Sequence, residues 1–257
     1  HKMDIRKLLK DRADLQKHLF PRSFLITNDD FSVTDDFPFY GNWNQTKIGN
    51  FNFCVQKLQK SYFVEKDGKV FFMIGYAYNP FNMDYEEEVI LGKIADSFAA
   101  DKEAYFEMIN QLTGIFVMGY TKGGFNGYLG DASGMQYSCY GVFNGKIYIS
   151  ANMQLLNDIH HLQVDPYIEK LINYRWYRYV FGNHYAGDLT KYKEVKRTVP
   201  NTYITFDGKA TKITRFYPNK SIAMVKDDKE YREVIEKAAN LIKNNMELIA
   251  KKWFLQH

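Results

Sequence analysis

Apolar and polar residues recur with different periods along this chain, and the changes of period mark out its elements. Over residues 3–20, Ile5, Leu8, Leu9, Ala13, Leu15 and Leu19 fall near one face at helical spacing, with Lys, Arg and Asp opposite. That predicts one amphipathic helix, ended by Pro21. From Ser23 to Tyr78 the signals are those of strands: Ser23–Thr27, Asn50–Val55, Ser61–Glu65 and Lys69–Gly75 alternate or run apolar. Asn28–Asp30 and Gly41-Asn42 read as turns, and Asp67-Gly68 as a two-residue hairpin. Helical spacing returns at Glu86–Phe98 and at Lys102–Thr113.

A strand is then predicted at Gly114–Tyr120, a Gly-rich turn over Lys122–Gly127, and a strand ending at Asp131. A tight loop at Ser133-Gly134, a turn at Asn144-Gly145, a strand Lys146–Ser150 and a short helix Met153–Leu156 follow. Pro166–Phe181 reads as one helix closed by Gly182-Asn183. After Glu194–Thr198, the strands Thr202–Phe206 and Ala210–Phe216 are joined at Asp207-Gly208. Last comes a long helix, Lys229–Phe254, with Tyr231, Val234, Ile235, Ala238, Ile242, Met246, Ile249 and Trp253 on one side. Such interspersion points to α+β layers rather than a regular βαβ alternation.

Composition changes this picture little. Hydrophobic residues make up 46% and charged residues 25% of 257 residues, ordinary for a globular chain. Aromatic content is high, with 20 Tyr and 20 Phe, and their place in the strands argues for a β-rich core rather than a ligand platform. The net charge of +4 is mixed along the chain, so no nucleic-acid partner is expected. No apolar run approaches the ~18–20 residues that span a bilayer, and residues 1–20 are too charged for a signal peptide, so no membrane partner is expected either. Cys54 and Cys139 make no disulfide framework, which favours a cytoplasmic location. Asn44-Gln45-Thr46 and Asn219-Lys220-Ser221 match the glycosylation pattern only by composition. His1-Lys2 precede a candidate initiator, Met3.

The chemistry-bearing pattern lies in residues 112–156. Leu112-Thr113-Gly114-Ile115-Phe116-Val117-Met118 leads to Gly130-Asp131-Ala132-Ser133-Gly134 and on to Tyr140-Gly141, then Ser150-Ala151-Asn152-Met153-Gln154-Leu155. This order resembles the glutaminase domain of the asparagine synthetase family, with its L-N-G-x-F-A-F, R-D-x-x-G-x-x-P-L-Y-Y-G and S-E-x-K-x-L segments. Ile74–Asn79 resembles the family's N-G-E-I-Y-N, and Tyr85–Leu91 its S-D-T-E-V-I-L. Lys193–Tyr203 and Arg215-Phe216-Tyr217 resemble its later segments, so the likeness covers about residues 23–254. It implies a class II glutamine amidotransferase domain of the N-terminal-nucleophile type, a four-layer αββα sandwich.

The same resemblance implies what is missing. The family uses an N-terminal Cys as nucleophile and its free α-amine as base, and no Cys lies near residue 23. Cys54 and Cys139 are internal and read as buried apolar residues. Ser23 would serve as nucleophile only if cleavage after Arg22 exposed its amine. The family's oxyanion donor, an Asn, is replaced by Ile74, and the Glu after Gly75 by Tyr76. The Asp that holds the substrate amine maps onto Glu86, and Lys57 is the nearest candidate for the carboxylate-binding Arg. Gly75, Tyr76, Glu86 and Lys57 thus form a vestigial substrate site without a catalytic residue.

Other constellations read as structural. His160-His161 lacks partners at zinc spacing and reads as a solvated helix end, so no metal site is expected. Glu86-Glu87-Glu88 suits the positive end of a helix dipole. Tyr174–Tyr179 interleaves basic and aromatic residues, which helical packing explains, and Lys191, Lys193, Lys196 and Arg197 form a small solvated basic patch.

The domain reading is an N-terminal helical extension (residues 1–22), an amidotransferase-like domain (23–217), and a linker with a helix leading toward a missing synthetase domain (218–257). The functional expectation is a degenerate domain, architectural in role, in an ATP-dependent amide ligase. Its partner would be its own C-terminal synthetase domain or a partner ligase, and a homodimer is also considered. No cofactor is expected in this chain; ATP and Mg would belong to the synthetase domain, whose S-G-G-x-D-S loop does not occur here. The alternatives are a module binding an amino acid or sugar in the vestigial cleft, and a hydrolase using Ser23 after self-cleavage.

Overall fold

The computed structural model describes residues 4–218 and 223–256. Met3, the Asn219-Lys220-Ser221 pattern and His257 lie outside the described residues. Among the described residues, twelve strands form two six-stranded antiparallel sheets. The first contains β1 (Phe24–Thr27), β2 (Trp43–Ile48), β3 (Phe51–Gln56), β8 (Cys139–Phe143), β9 (Lys146–Ser150) and β10 (Lys196–Arg197), in the order β10-β8-β9-β1-β3-β2. The second contains β4 (Ser61–Lys66), β5 (Lys69–Tyr78), β6 (Thr113–Lys122), β7 (Phe125–Gly130), β11 (Thr202–Phe206) and β12 (Thr211–Arg215), in the order β12-β11-β7-β6-β5-β4.

Alternation along the strands divides the core into three layers. Phe24 and Ile26 of β1 and Phe53 and Val55 of β3 meet Phe72 and Ile74 of β5, Val117, Tyr128 and Phe206 between the sheets. Their neighbours point the other way. Phe71 and Met73 join Met118, Tyr120 and Tyr203 beneath α2 (Glu87–Ala100) and α3 (Lys102–Asn110), whose Ile90, Leu91, Ile94 and Tyr105 complete that layer. Leu25, Cys54 and Tyr148 face outward from the first sheet, against Leu155 and Leu156 of α4 (Met153–His160) and against Phe20 and Phe39. The result is an α+β sandwich of four layers, helix–sheet–sheet–helix. Burial on both faces explains why β5 reads as a continuous apolar run.

Several elements differ from their sequence reading. The N-terminal helix is broken: α1 (Ile5–Asp11) gives way at Arg12 (φ −123°) to a 3-10 turn, Ala13–His18. The predicted helix 166–181 breaks at Tyr174, leaving α5 (Pro166–Asn173) and α6 (Arg175–Phe181). Strand β2 was missed, because an edge strand reading Trp-Asn-Gln-Thr-Lys-Ile has only Trp43 fully buried. The Gly-rich turn shrinks to Gly123-Gly124, since Phe125–Gly127 already belong to β7. Thr113 begins β6 instead of ending a helix, and α4 runs four residues past Leu156 because Asn152 caps it and His161 takes the left-handed exit (φ 54°).

Two packing readings also change. Of the helix-end pair, His161 is exposed as expected but His160 is half-buried: its ring stacks on Phe143 at 3.9 Å and meets Tyr148 edge-on at 4.3 Å, and burial lowers its pKa. In α6 the aromatic residues are not packed inward, with Trp176 64% and Tyr179 82% exposed. A seven-residue helix on the surface leaves its apolar side uncovered. The last described element is α7 (Asp228–Gln256).

Candidate functional site

The start of β1 is approached through a kink. Phe20 (φ 51°) and Arg22 (φ 55°) both take left-handed backbone, turning the chain from the 3-10 segment into the sheet. Gln56, at the end of β3, holds this kink: its Oε1 accepts from the N–H of Arg22 (3.0 Å) and of Leu58 (2.8 Å). Gln59 Nε2 donates to the Arg22 carbonyl at 2.9 Å. Ser23 is therefore clamped on its amino side. It is 3% exposed, its N–H donates to the Phe20 carbonyl at 3.2 Å, and its Oγ has no hydrogen-bond partner among the described residues.

Beside this kink lies a cleft of about 430 Å³. Arg22, Lys60, Tyr62, Gly75, Tyr76 and Tyr78 form its floor and rim, and Ile249, Lys252 and Trp253 of α7 close it. Of the sequence-derived residues, Gly75 and Tyr76 line the cleft. Glu86 and Lys57 do not: both are exposed, Glu86 preceding α2 and Lys57 following β3.

Gly75 has a backbone reason to be glycine. Its φ is +114°, and a Cβ there would lie 2.2 Å from the Ile115 carbonyl oxygen and 3.0 Å from Phe116 Cα. Gly114 (φ +129°) repeats the arrangement from the opposite strand, meeting the Tyr76 carbonyl. The two strands approach too closely for side chains at these points. Gly75→Ala is expected to cost at least ~2 kcal/mol, from strain and a backbone clash, as measured by urea denaturation.

The charged centre of the cleft escaped the sequence reading. Glu87, not Glu86, is the buried carboxylate, and it pairs with Lys252 of α7. Their side chains are 7% and 12% exposed. Tyr62 hydrogen-bonds Glu87, and its pKa is pushed up to about 12, first by burial and then by that carboxylate. The Lys252 ammonium stands 4.6 Å from the Tyr78 ring centroid and 5.9 Å from that of Tyr76, a cation–π arrangement on two faces. Burial also raises the Tyr78 pKa. The signal was present in the helical phase: Glu87 shares a face with Ile90, Leu91 and Ile94, whereas Glu86 does not.

Three further contacts seat α7. Leu248 is fully buried, the Thr113 hydroxyl donates to Asn245 Oδ1 at 2.5 Å, and Asn244 Nδ2 donates to the Pro80 carbonyl at 2.9 Å. The docked face thus carries Asn244, Asn245, Leu248 and Lys252, and lies beside the apolar stripe predicted from sequence. Most of that stripe is exposed.

Neither cysteine is an activated nucleophile. Burial pushes the Cys54 thiol up to about 12 and the Cys139 thiol higher still, and both are core residues of the first sheet. Asp131 of the resembling loop has a structural task. It is 1% exposed and accepts from Ser133 Oγ (2.8 Å), Met135 N (3.0 Å), Gln136 N (2.8 Å) and Phe116 N (3.4 Å). Gly134 (φ +66°) closes the loop, its α-carbon facing Pro200. Among the described residues no group of three or more His, Cys, Asp or Glu is placed to hold a metal ion, and no helix is long and apolar enough to cross a membrane.

No protein-family model and no curated protein sequence matches the chain. Among solved structures it is similar to glutamine phosphoribosylpyrophosphate (PRPP) amidotransferase from B. subtilis complexed with ADP and GMP. The identity is 9% over 80% of this chain and 46% of that one, with a TM-score of 0.44. It is also similar to a structure of the allosteric regulatory enzyme of purine biosynthesis, at 10% identity over 79% of this chain and 45% of that one, TM-score 0.44. The chain spans less than half the length of either.

Proposed function

We propose that the chain is a degenerate glutamine amidotransferase-like domain, without glutaminase activity and architectural in role, belonging to a cytoplasmic, asparagine synthetase-related ATP-dependent amide ligase. One observation carries the reading. Ser23, at the head of β1, has its nitrogen in a peptide bond and hydrogen-bonded to Phe20, so no free amine stands there to act as base. The seating of α7 over the cleft supports it, since Lys252 and Trp253 occupy the mouth that a substrate would enter. In such a ligase a separate synthetase domain would bind ATP and Mg, adenylate a carboxylate and take its nitrogen from another source.

The test is release of ammonia from glutamine by the purified chain, which is expected not to exceed background. Loss of an oxyanion donor alone is worth ~100-fold in rate. Steady glutamine-dependent release that persists in a Cys54→Ala/Cys139→Ala variant would overturn the proposal. A second reading, a hydrolase using Ser23 after self-cleavage, is favoured by the Gln59 hydrogen bond to the Arg22 carbonyl beside an unpartnered Ser23 hydroxyl. Intact-mass spectrometry distinguishes the two, because self-cleavage would remove residues 1–22.

A further inference from the structure

A second cavity, of about 540 Å³, lies among the segments that cover the outer face of the first sheet, and it shares no residue with the cleft under α7. Three segments wall it. α1 supplies Arg6 and Lys10, one turn apart on the same face. The loop before β2 supplies Asp36, Phe37 and Tyr40, and the end of α4 supplies Asp158 and His161. Leu9 is buried, and Gln16 Nε2 donates to its carbonyl at 2.9 Å, so the cationic wall is held in place.

Arg6 stands at the centre of this arrangement. Its guanidinium lies over the Phe37 ring at 4.4 Å, and its charge reaches Asp158 and Tyr40 on the other two walls. Among the described residues, however, no oxygen accepts from its side chain, and Arg6, Lys10, Asp36 and Asp158 form no ion pair. The planar fork of donors therefore opens into the cavity, a shape that matches a carboxylate. Asp158 is the complementary case. It is half-buried and accepts from Gln154 Nε2 at 2.9 Å. Burial raises its pKa in spite of that bond and of the charges on Arg6 and His161, so it gains from a further cation.

We infer that this cavity binds a free α-amino acid with a large side chain, its carboxylate on Arg6 and Lys10 and its ammonium on Asp158 and Asp36. The balance of the walls selects a ligand that carries both signs. Arg6 and Lys10 are matched by Asp36 and Asp158, so a phosphate would meet two carboxylates and a polyamine would meet two cations. The volume leaves room for a side chain against Tyr40, whose ring meets that of Phe37 edge-on at 6.0 Å. The inference rests on these walls and not on the amidotransferase reading, so its tests and the ammonia assay fail independently.

Isothermal titration of the whole chain with L-phenylalanine is expected to show saturable binding. L-phenylalaninamide lacks the carboxylate and N-acetyl-L-phenylalanine lacks the ammonium, and each should bind at least ~10-fold more weakly. Arg6→Gln should weaken L-phenylalanine by a similar factor and remove its advantage over the amide. Asp158→Asn should likewise remove its advantage over the N-acetyl compound. The comparison of the three compounds on the unaltered chain needs no variant, so it stands even where a substitution loosens α1. Absence of saturable heat up to about 10 mM would overturn the inference, as would equal binding of all three compounds. So would binding that survives both substitutions, which would put the amino acid in the cleft under α7 or elsewhere.

Discussion

Replacing Asp131 with alanine is expected to lower the unfolding free energy by at least ~3 kcal/mol. The carboxylate is enclosed and accepts from three backbone N–H groups and one hydroxyl. Hydrogen bonds to a charged group contribute ~1.5–3 kcal/mol each, though not additively, and the stranded N–H groups of Met135 and Gln136 would add their own desolvation cost. Asp131→Asn keeps one good acceptor but points an amide N–H at another donor, so it should fall between alanine and wild type. Urea denaturation at neutral pH reads both variants. A loss under ~1 kcal/mol in Asp131→Ala would mean that the 131–136 loop is held by its packing against Pro200 and not by this carboxylate.

The second large effect is expected at the ion pair under α7. Lys252→Ala leaves Glu87 facing a closed cleft without a counter-charge, and breaking a buried pair from one side typically costs ~3–5 kcal/mol. The helix has a way to avoid that cost, which is to detach and let water reach Glu87. The observable is therefore local: amide exchange of residues 241–252 should rise sharply, while that of β5 and β6 stays low. The double variant Glu87→Gln/Lys252→Met removes both charges and should restore most of the protection, because a neutral pair has no desolvation cost of that size. Unchanged protection in Lys252→Ala would assign the seating of α7 to Leu248 and the two asparagine contacts instead.

Strands and layers were legible wherever a residue pattern met a single physical demand. β5 reads as Phe-Phe-Met-Ile because both of its faces are covered, and Asp67-Gly68 reads as a hairpin and Asn144-Gly145 as a turn because both residues of each take positive φ. The loop after β7 was legible because Asp131 and Gly134 do one structural job at fixed spacing. β2 was not, since a strand at the sheet edge need not be apolar beyond Trp43. Nor were the breaks at Arg12 and Tyr174, where neither glycine nor proline marks the end. At the site, Gly75 and Tyr76 were found through resemblance alone. Glu87 and Lys252 were passed over because their pairing joins residues 165 positions apart. No local pattern records such a contact, and only the helical phase of Glu87 hinted that it faces inward.

The two sheets also differ in how far apart along the chain their partners lie, and this bears on the order of assembly. In the second sheet, β4 to β7 are successive neighbours from residue 61 to residue 130, joined by two tight turns and, between β5 and β6, by the α2–α3 segment, residues 79–112. The first sheet is built around β1, which sits between β3 and β9 and pairs Ile26 with Ile149. A chain emerging from the ribosome can close the meander while β1 still waits, with Leu25 and Ile26 unpaired on one edge, until residue 150 has been made. Long-range pairing of this kind slows folding, and the waiting edge offers an apolar strand to other nascent chains. The interval between residues 60 and 150 is thus where this chain most needs a chaperone.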